Sequence, residues 1–473
     1  MQRVEKQEDY LQDLIDRHLL KQRGANVELP YFTLDAAGRI TRQDNANTTY
    51  VLNTYDTANR ITEIQTKNSG ATVLSDIQYA YNGVNVTSRT DTDGTVTSFG
   101  FDNSDQLTSE VRDNSHSTGY TVGYTYDGNQ NRLTKVLNSV TQSYSYDSHD
   151  KLTAAGSKSY GYDSSGNCTS VTIGTNVTAL TYDDSNRVTG ITYPSTATNS
   201  FIYNGNGLRV SKTDSAGTSA VVTDGTSPAS AVLKDVRAVY TPGISERASG
   251  TSKFYHGDAL GSTRGITNGS QTVTDAVLYD AFGMTVNRTG TTATPFGFVG
   301  AGQYQSDADS GLQLLGHRMY DPSVGRFISQ DPIGNGDNWY TYCENSPIVH
   351  TDKKGMMTDR QIKDLKDLAD QNGWDLEKRG AHDIWKRGFE SERVPNNHSK
   401  DDGDLFRRVR KKLQKPPQPI ITEPIRQVIV AGGEATAIVT VGIIVWEVAK
   451  WGIAIIAAPE TGGLSLAAAG ALP

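Results

Sequence analysis

Tyr182-Asp183-Asp184-Ser185-Asn186-Arg187-Val188-Thr189 reads as one β-hairpin corner. The aromatic residue suits a strand, and the Asp carboxylate can accept backbone N–H groups two residues on, which starts a turn. Asn186 tolerates a positive φ, and Val188 with Thr189 begins the return strand. The same order begins at Leu34-Asp35, Tyr55-Asp56, Phe101-Asp102 and Tyr146-Asp147. Looser copies begin at Tyr81-Asn82, Tyr126-Asp127, Tyr162-Asp163 and Tyr203-Asn204; the Tyr126 copy reads as having one extra residue before Asn131-Arg132-Leu133-Thr134. Successive Asp or Asn positions are 21, 26, 20, 25, 20, 16, 20 and 21 apart, a period near 20 that marks a repeat architecture. A single hairpin cannot bury its apolar face, so stacked units must share cross-strand aromatic contacts in a continuous sheet. The tyrosines are read as structural. Residues 31–355 are therefore expected to be antiparallel hairpins in one curved sheet, left open because nine copies are few.

Composition agrees. The 473 residues exceed one ordinary core, so two or more domains are expected. Tyr, at 23, outnumbers Phe at 11, and Gly reaches 46, a balance that suits short strands and tight turns. Cys168 and Cys343 cannot form a disulfide framework. Residues 1–23 are charged and lack the apolar core of a secretory signal; Leu11, Leu14, Ile15 and Leu19 place a helix over Glu5–Arg23 instead. Residues 1–355 carry 28 Lys and Arg against 37 Asp and Glu, which argues against the repeats gripping nucleic acid.

The unit resembles the YD repeat of Rhs proteins, toxin-complex C subunits and teneurins. A second block is similar to the Rhs repeat-associated core: Tyr255-His256-Gly257-Asp258-Ala259-Leu260-Gly261-Ser262-Thr263-Arg264, Tyr279-Asp280-Ala281-Phe282-Gly283, Phe296-Gly297-Phe298-Val299-Gly300, Arg318-Met319-Tyr320-Asp321-Pro322, Gly325-Arg326-Phe327 and Asp331-Pro332-Ile333-Gly334. The resemblance implies a partial shell, or cocoon, enclosing a C-terminal polypeptide that is commonly a toxin. It divides the chain into an N-terminal helical segment (1–30), YD repeats (31–250), the core (251–355) and a variable effector-like domain (356–473) with an apolar tail at 428–458. It implies a carrier used in interbacterial competition, made in the bacterial cytoplasm without a signal peptide. Export would use a specialised secretion system, or the chain would sit at the cell surface. Its partners would be its own C-terminal domain as cargo, an immunity protein, and an upstream shell chain or secretion apparatus. The rival reading is a structural or cell-surface YD-repeat protein without toxic activity, which lacks an immunity gene downstream.

The family's self-cleavage is attributed to two aspartates and an arginine. By motif these fall on Asp331, Asp352 and Arg318, with the cut between Met356 and Met357. Two close carboxylates can share a proton, so one serves as base for water and the other as acid for the leaving amine. Here Asp352-Lys353-Lys354-Gly355-Met356 keeps the Asp and Gly of the second motif and loses its proline, which predicts slow or absent cleavage. Read from spacing alone, both aspartates are turn formers.

After Gly355 the text becomes charged and helical, and a mostly α domain is expected. Thr358 could cap a helix ended by Gly373. His382, Asp383 and His398 are the candidate effector residues; nothing in their spacing fixes a metal site, and no cofactor is expected. Arg407, Arg408, Arg410, Lys411, Lys412 and Lys415 form a basic stretch ahead of Pro416, Pro417 and Pro419. Residues 428–458 reach the roughly 20 residues of a membrane span. Glu447 and Lys450 interrupt them, each costing about 2.5–3.5 kcal/mol at a bilayer centre. Membrane contact by this tail is expected after release, with a buried or interfacial helix hairpin as its rival.

Overall fold

The computed structural model describes residues 30–115, 119–332, 334 and 338–356, together with the backbone of short strands between 375 and 445. Residues 30–356 belong to one compact unit, and the strands from 375 onward belong to a second.

The first unit is built from antiparallel meanders. Nineteen strands, β1 (Tyr31–Leu34) through β19 (Gly217–Ala220), each pair with the next, and β1 and β19 do not pair with each other. No barrel closes. Eight further strands, β20 (Val222–Thr223) through β27 (Thr285–Thr289), form a second sheet, and four short ones, β28 (Gln305–Ser306), β29 (Gln313–Leu315), β30 (Arg318–Asp321) and β31 (Arg326–Phe327), form a third. The expectation of one sheet over 31–355 is thus corrected to three. Val221 still donates its N–H to Val210, but β20 pairs with β21 (Val232–Lys234) rather than with β19. From Gly290 on, much of the chain runs as turns and loops.

Apart from the shorter turn at Asn82–Asn85, the repeat corners follow one rule. In the first, Gly38 N–H reaches the Asp35 carbonyl, Asp35 N–H reaches the Arg39 carbonyl, and Gly38 has φ +75°. This is a type I turn followed by a left-handed residue, the common three-residue hairpin loop. The left-handed position falls to Asn59, Asp105, Asp150 and Asn186 in other copies. Asp35 Oδ1 accepts the N–H groups of Ala37 and Arg39, and these contacts, with the Arg39 side chain, hold the carboxyl below its ordinary pKa. Arg39 Nε donates to Asp35 Oδ2, the guanidinium lies 4.6 Å from the centre of the next repeat's Tyr55 ring, and Tyr55 OH donates to the Ile40 carbonyl at 2.8 Å. The trio recurs at Asp56, Arg60 and Tyr81 and at Asp183, Arg187 and Tyr203. The hydroxyl link gives Tyr a bond that Phe cannot make, to a carbonyl beside the irregular register at the turn.

The Tyr126 copy has no extra residue. Asn131 N–H reaches Asp127 Oδ1 as Arg60 N–H reaches Asp56, and Arg132 pairs opposite Tyr126 as Ile61 pairs opposite Tyr55. Asn131 thus stands where the repeat has Arg, and Arg132 where it has an aliphatic residue. The substitution has a reason, because this corner docks the third sheet. Asn131 Oδ1 accepts Arg326 Nη1 at 2.9 Å and Asn338 Nδ2 at 2.6 Å, while Gln106 Oε1 at the preceding corner accepts Asn345 Nδ2.

Many of the repeat strands bury one face. In β9 (Tyr120–Tyr126) the side chains of Tyr120, Val122 and Tyr124 are buried, while Thr121 and Thr125 are exposed. These buried residues join Phe99 and Leu107 of the repeat sheet to Phe282, Phe298, Tyr304, Leu315, Tyr320, Phe327 and Tyr342 in one core. Phe298, Tyr304, Leu315, Tyr320, Phe327 and Tyr342 therefore pack against the apolar face of the repeats.

In the second unit, β32 (Asp375–Arg379), β33 (His382–Arg387) and β34 (Glu390–Pro395) form an antiparallel sheet, so the elements described there are strands. The helices expected over 5–23 and 358–373 and the basic stretch 405–415 lie outside the described residues. Of the tail 428–458 only Thr440–Val441 and Ile444–Val445 are described, as short strands. Among the described residues no helix is long and apolar enough to cross a membrane.

Candidate functional site

Arg318 opens β30, Asp331 follows β31, and Asp352 opens the last described turn. Residues separated by 13 and 34 positions meet because β29, β30 and β31 fold as a small meander against the repeat sheet and the chain returns along it. Arg318 Nη2 lies 3.4 Å from Asp331 Oδ2 and 3.6 Å from Asp352 Oδ2. All three are buried, at 4%, 9% and 3% exposure, so little water screens the contacts.

Both aspartates do form turns, and the turns share part of the repeat corner's bonding. Gly334 N–H reaches the Asp331 carbonyl, Gly355 N–H reaches the Asp352 carbonyl, and both glycines have positive φ. Asp352 Oδ1 accepts Met356 N–H at 3.0 Å, as Asp35 Oδ1 accepts Arg39 N–H. The difference is in the second oxygen. In the repeat it meets an arginine of its own turn, whereas here it faces Arg318. Burial raises the Asp352 pKa above its ordinary value, and Arg318 and the backbone N–H groups of the turn only partly oppose this.

Arg318 is fixed from several sides. Its Nε donates to the Gly355 carbonyl, Nη1 donates to the Trp339 carbonyl at 2.9 Å, and the guanidinium stacks 3.5 Å from the centre of the Phe327 ring. The turn that lacks the proline is held by hydrogen bonds. Asp352 N–H donates to Tyr304 OH at 2.7 Å, Tyr304 OH shares a hydrogen bond with Tyr342 OH, and His317 N–H donates to the Lys354 carbonyl. A side chain on Gly355 would run into the Leu315 carbonyl, so the chain returns where only glycine fits. Sequence reading missed Tyr304 and Tyr342, since nothing in their spacing marks them among 23 tyrosines.

Met357 and His398 lie outside the described residues, and His382 and Asp383 are described only as backbone at the start of β33. The described site thus holds two buried carboxylates against one guanidinium.

The sequence profile of the RHS repeat matches residues 81–118 and 162–198. The tRNA3(Ser)-specific nuclease WapA of Bacillus spizizenii is 30% identical over 269 residues, 51% of this chain and 11% of that protein. Double-stranded DNA deaminase toxin A of Burkholderia cenocepacia is 39% identical over 109 residues, 22% of this chain and 7% of that protein. The chain thus spans only a small part of these curated relatives. Among solved structures, the Tc holotoxin pore of Photorhabdus luminescens aligns with a TM-score of 0.61 at 20% identity, over 71% of this chain and 19% of that one, a likeness of fold. Corner, ladder, meander and profile agree that this chain carries RHS, or YD, repeats.

Proposed function

We propose that residues 31–355 are the shell and plug of a carrier for a toxin-like effector, residues 356–473, and that Arg318, Asp331 and Asp352 cut the chain between Met356 and Met357. The observation that carries the cleavage is Arg318 lying between two buried carboxylates while one of them holds the N–H of Met356. The toxin relatives support the carrier role.

In the reaction, one carboxylate takes a proton from water as the water oxygen attacks the Met356 carbonyl carbon. The other carboxyl gives its proton to the Met357 nitrogen as the C–N bond breaks, leaving a new carboxylate and a new amine. The raised pKa of Asp352 suits it to hold the donated proton, with Asp331 as base and Arg318 steadying the developing charge. By the same reading the cargo's partners are the shell and an immunity protein. The chain is made in a bacterial cytoplasm and leaves by a specialised secretion system.

Mass spectrometry of the purified full chain should show a fragment beginning at Met357. Asp331→Asn should slow its appearance by at least about 100-fold, since an amide neither takes nor gives the proton. Equal cutting of wild type and variant would assign the cut to a contaminating protease. If neither is cut, the aspartates are turn residues only, and the carrier reading then rests on whether residues 356–473 expressed alone arrest bacterial growth or collapse membrane potential.

A further inference from the structure

Beside the last strands of the repeat sheet, bounded by the second sheet and the start of the third, lies a cavity of about 660 Å³. Four basic side chains line it: Arg209, Lys212, Arg237 and Arg288. Three are neutralised. Lys212 meets Asp214 at 2.5 Å and Asp307 at 3.4 Å, Arg237 meets Asp235 at 3.6 Å, and Arg288 meets Asp275 at 3.8 Å. Arg209 has no carboxylate partner among the described residues. Its Nη2 donates to Gln305 Oε1 at 2.7 Å, its guanidinium lies 5.4 Å from the centre of the Phe201 ring, and its Nη1 has no acceptor.

Arg209 is also out of place in the repeat. It pairs opposite Tyr203 where Val188 pairs opposite Tyr182, so a cation occupies the inward position that the rule gives to an aliphatic residue. It is 8% exposed, and burial pushes its pKa down against the opposing pull of Tyr203, Asp307 and Asp214, none of them close enough to pair with it. Across the same cavity, Gln313 is 4% exposed and its Oε1 has no donor. Leaving such groups unmade is costly, and a water could satisfy the amide without neutralising the guanidinium. Val221, Val232, Val277 and Phe296 add apolar wall. The volume falls in the range of ligand pockets, roughly 300–1,000 Å³.

We propose that this cavity binds the carboxylate of an acylated α-amino acid, with the carboxylate on Arg209, the amide N–H on Gln313 Oε1 and an apolar side chain against Val232 and Phe296. A free acylamino acid and the C-terminal end of a peptide share this chemistry. Isothermal titration calorimetry on the full chain tests it with N-acetyl-leucine and two analogues that each lack one contact. The methyl ester lacks the charge for Arg209, and 4-methylpentanoate lacks the N–H for Gln313; each should bind at least about tenfold more weakly. Arg209→Met keeps the length and removes the charge, and should bring the acid down to the level of its ester. Acetyl-alanyl-alanyl-leucine separates the sources, because tighter binding than N-acetyl-leucine assigns the site to a peptide end and equal binding to the free acid. Equal binding of acid and ester by the wild type, or no heat from the acid at about 10 mM, would overturn the assignment whatever the variant does.

Discussion

At the Asp183 corner, Oδ1 accepts the N–H groups of Ser185 and Arg187, and Oδ2 meets the Arg187 guanidinium at 2.5 Å, with both side chains partly exposed. At the Asp352 corner, Oδ1 accepts Met356 N–H, and Oδ2 faces Arg318, which comes from another strand. Both carboxylates accept the N–H four residues on, and what changes is where the aspartate's own N–H goes, where the arginine comes from and how much water is near. When the arginine belongs to the turn, the pair braces one hairpin. When it arrives from 34 residues away and also faces Asp331, the pair ties the last described turn of the first unit to its core and brings two buried carboxylates to one guanidinium. A repeat corner moved from the surface into a dry interior is thus the raw material of the site.

Removing the arginine from each corner should separate the two most widely. Arg318→Met strands two buried carboxylates and leaves the Gly355 and Trp339 carbonyls unmet, and should lower stability by about 3–5 kcal/mol. Arg187→Met loses a partly exposed pair and should cost no more than about 1 kcal/mol. Comparable losses in urea denaturation would mean that the Asp352 corner is only another brace.

A third carboxylate extends the comparison, because it is buried with no arginine in contact. Glu110 is fully buried, accepts Tyr120 OH at 2.6 Å and Ala281 N–H at 2.9 Å, and so joins the repeat sheet to the core. Burial, then the nearby Asp280, pushes its pKa up to about 7 from an ordinary 4.5. A folded-state pKa above the unfolded one gives stability that is complete below about pH 4.5 and is lost as pH rises through about 7, up to a few kcal/mol. His256 runs the other way. Burial lowers its pKa to about 4, so its contribution is present above pH 6.5 and lost as pH falls. The test is therefore the difference between wild type and Glu110→Gln at each pH. That difference should shrink from about pH 5 to about pH 8, and a constant difference would show that Glu110 stays ionised throughout.

How far the sequence could be read follows the same division. The corner rule is local, so a period near 20 displayed it, and the left-handed positions at Gly38, Asn59 and Asn186 fell where turn chemistry put them. Local reading failed where a long-range contact had altered the unit. Asn131 and Arg132 were misaligned by one residue because Asn131 serves Arg326 and Asn338 from about 200 positions away. Asp331, Asp352 and Arg318 could be named only by resemblance, since no spacing brings residues together across an irregular segment. Tyr304, which holds the Asp352 backbone, carried no signal at all. The division of 31–355 into three sheets was equally hidden, because it depends on which strand β20 pairs with and not on what β20 contains.

The smallest effect tests the repeat side of the comparison against itself. If the corner is a true unit, the tyrosine hydroxyl should have the same worth wherever the rule is met. Tyr182 OH donates to the Cys168 carbonyl at 2.7 Å, and Tyr126 OH to the Leu107 carbonyl at 2.8 Å. Tyr182→Phe keeps the ring and removes the bond, and should cost about 1 kcal/mol. The chain already contains the reverse case. Phe101 pairs opposite Leu107 as Tyr182 pairs opposite Val188, but it has no hydroxyl for the preceding repeat's Val86 carbonyl. Phe101→Tyr should therefore gain up to about 1 kcal/mol. A loss at Tyr182 with no gain at Phe101 would show that the bond belongs to particular corners. Its absence at Phe101 would then reflect the shorter turn at Asn82–Asn85, where the preceding hairpin closes with one residue fewer than its neighbours.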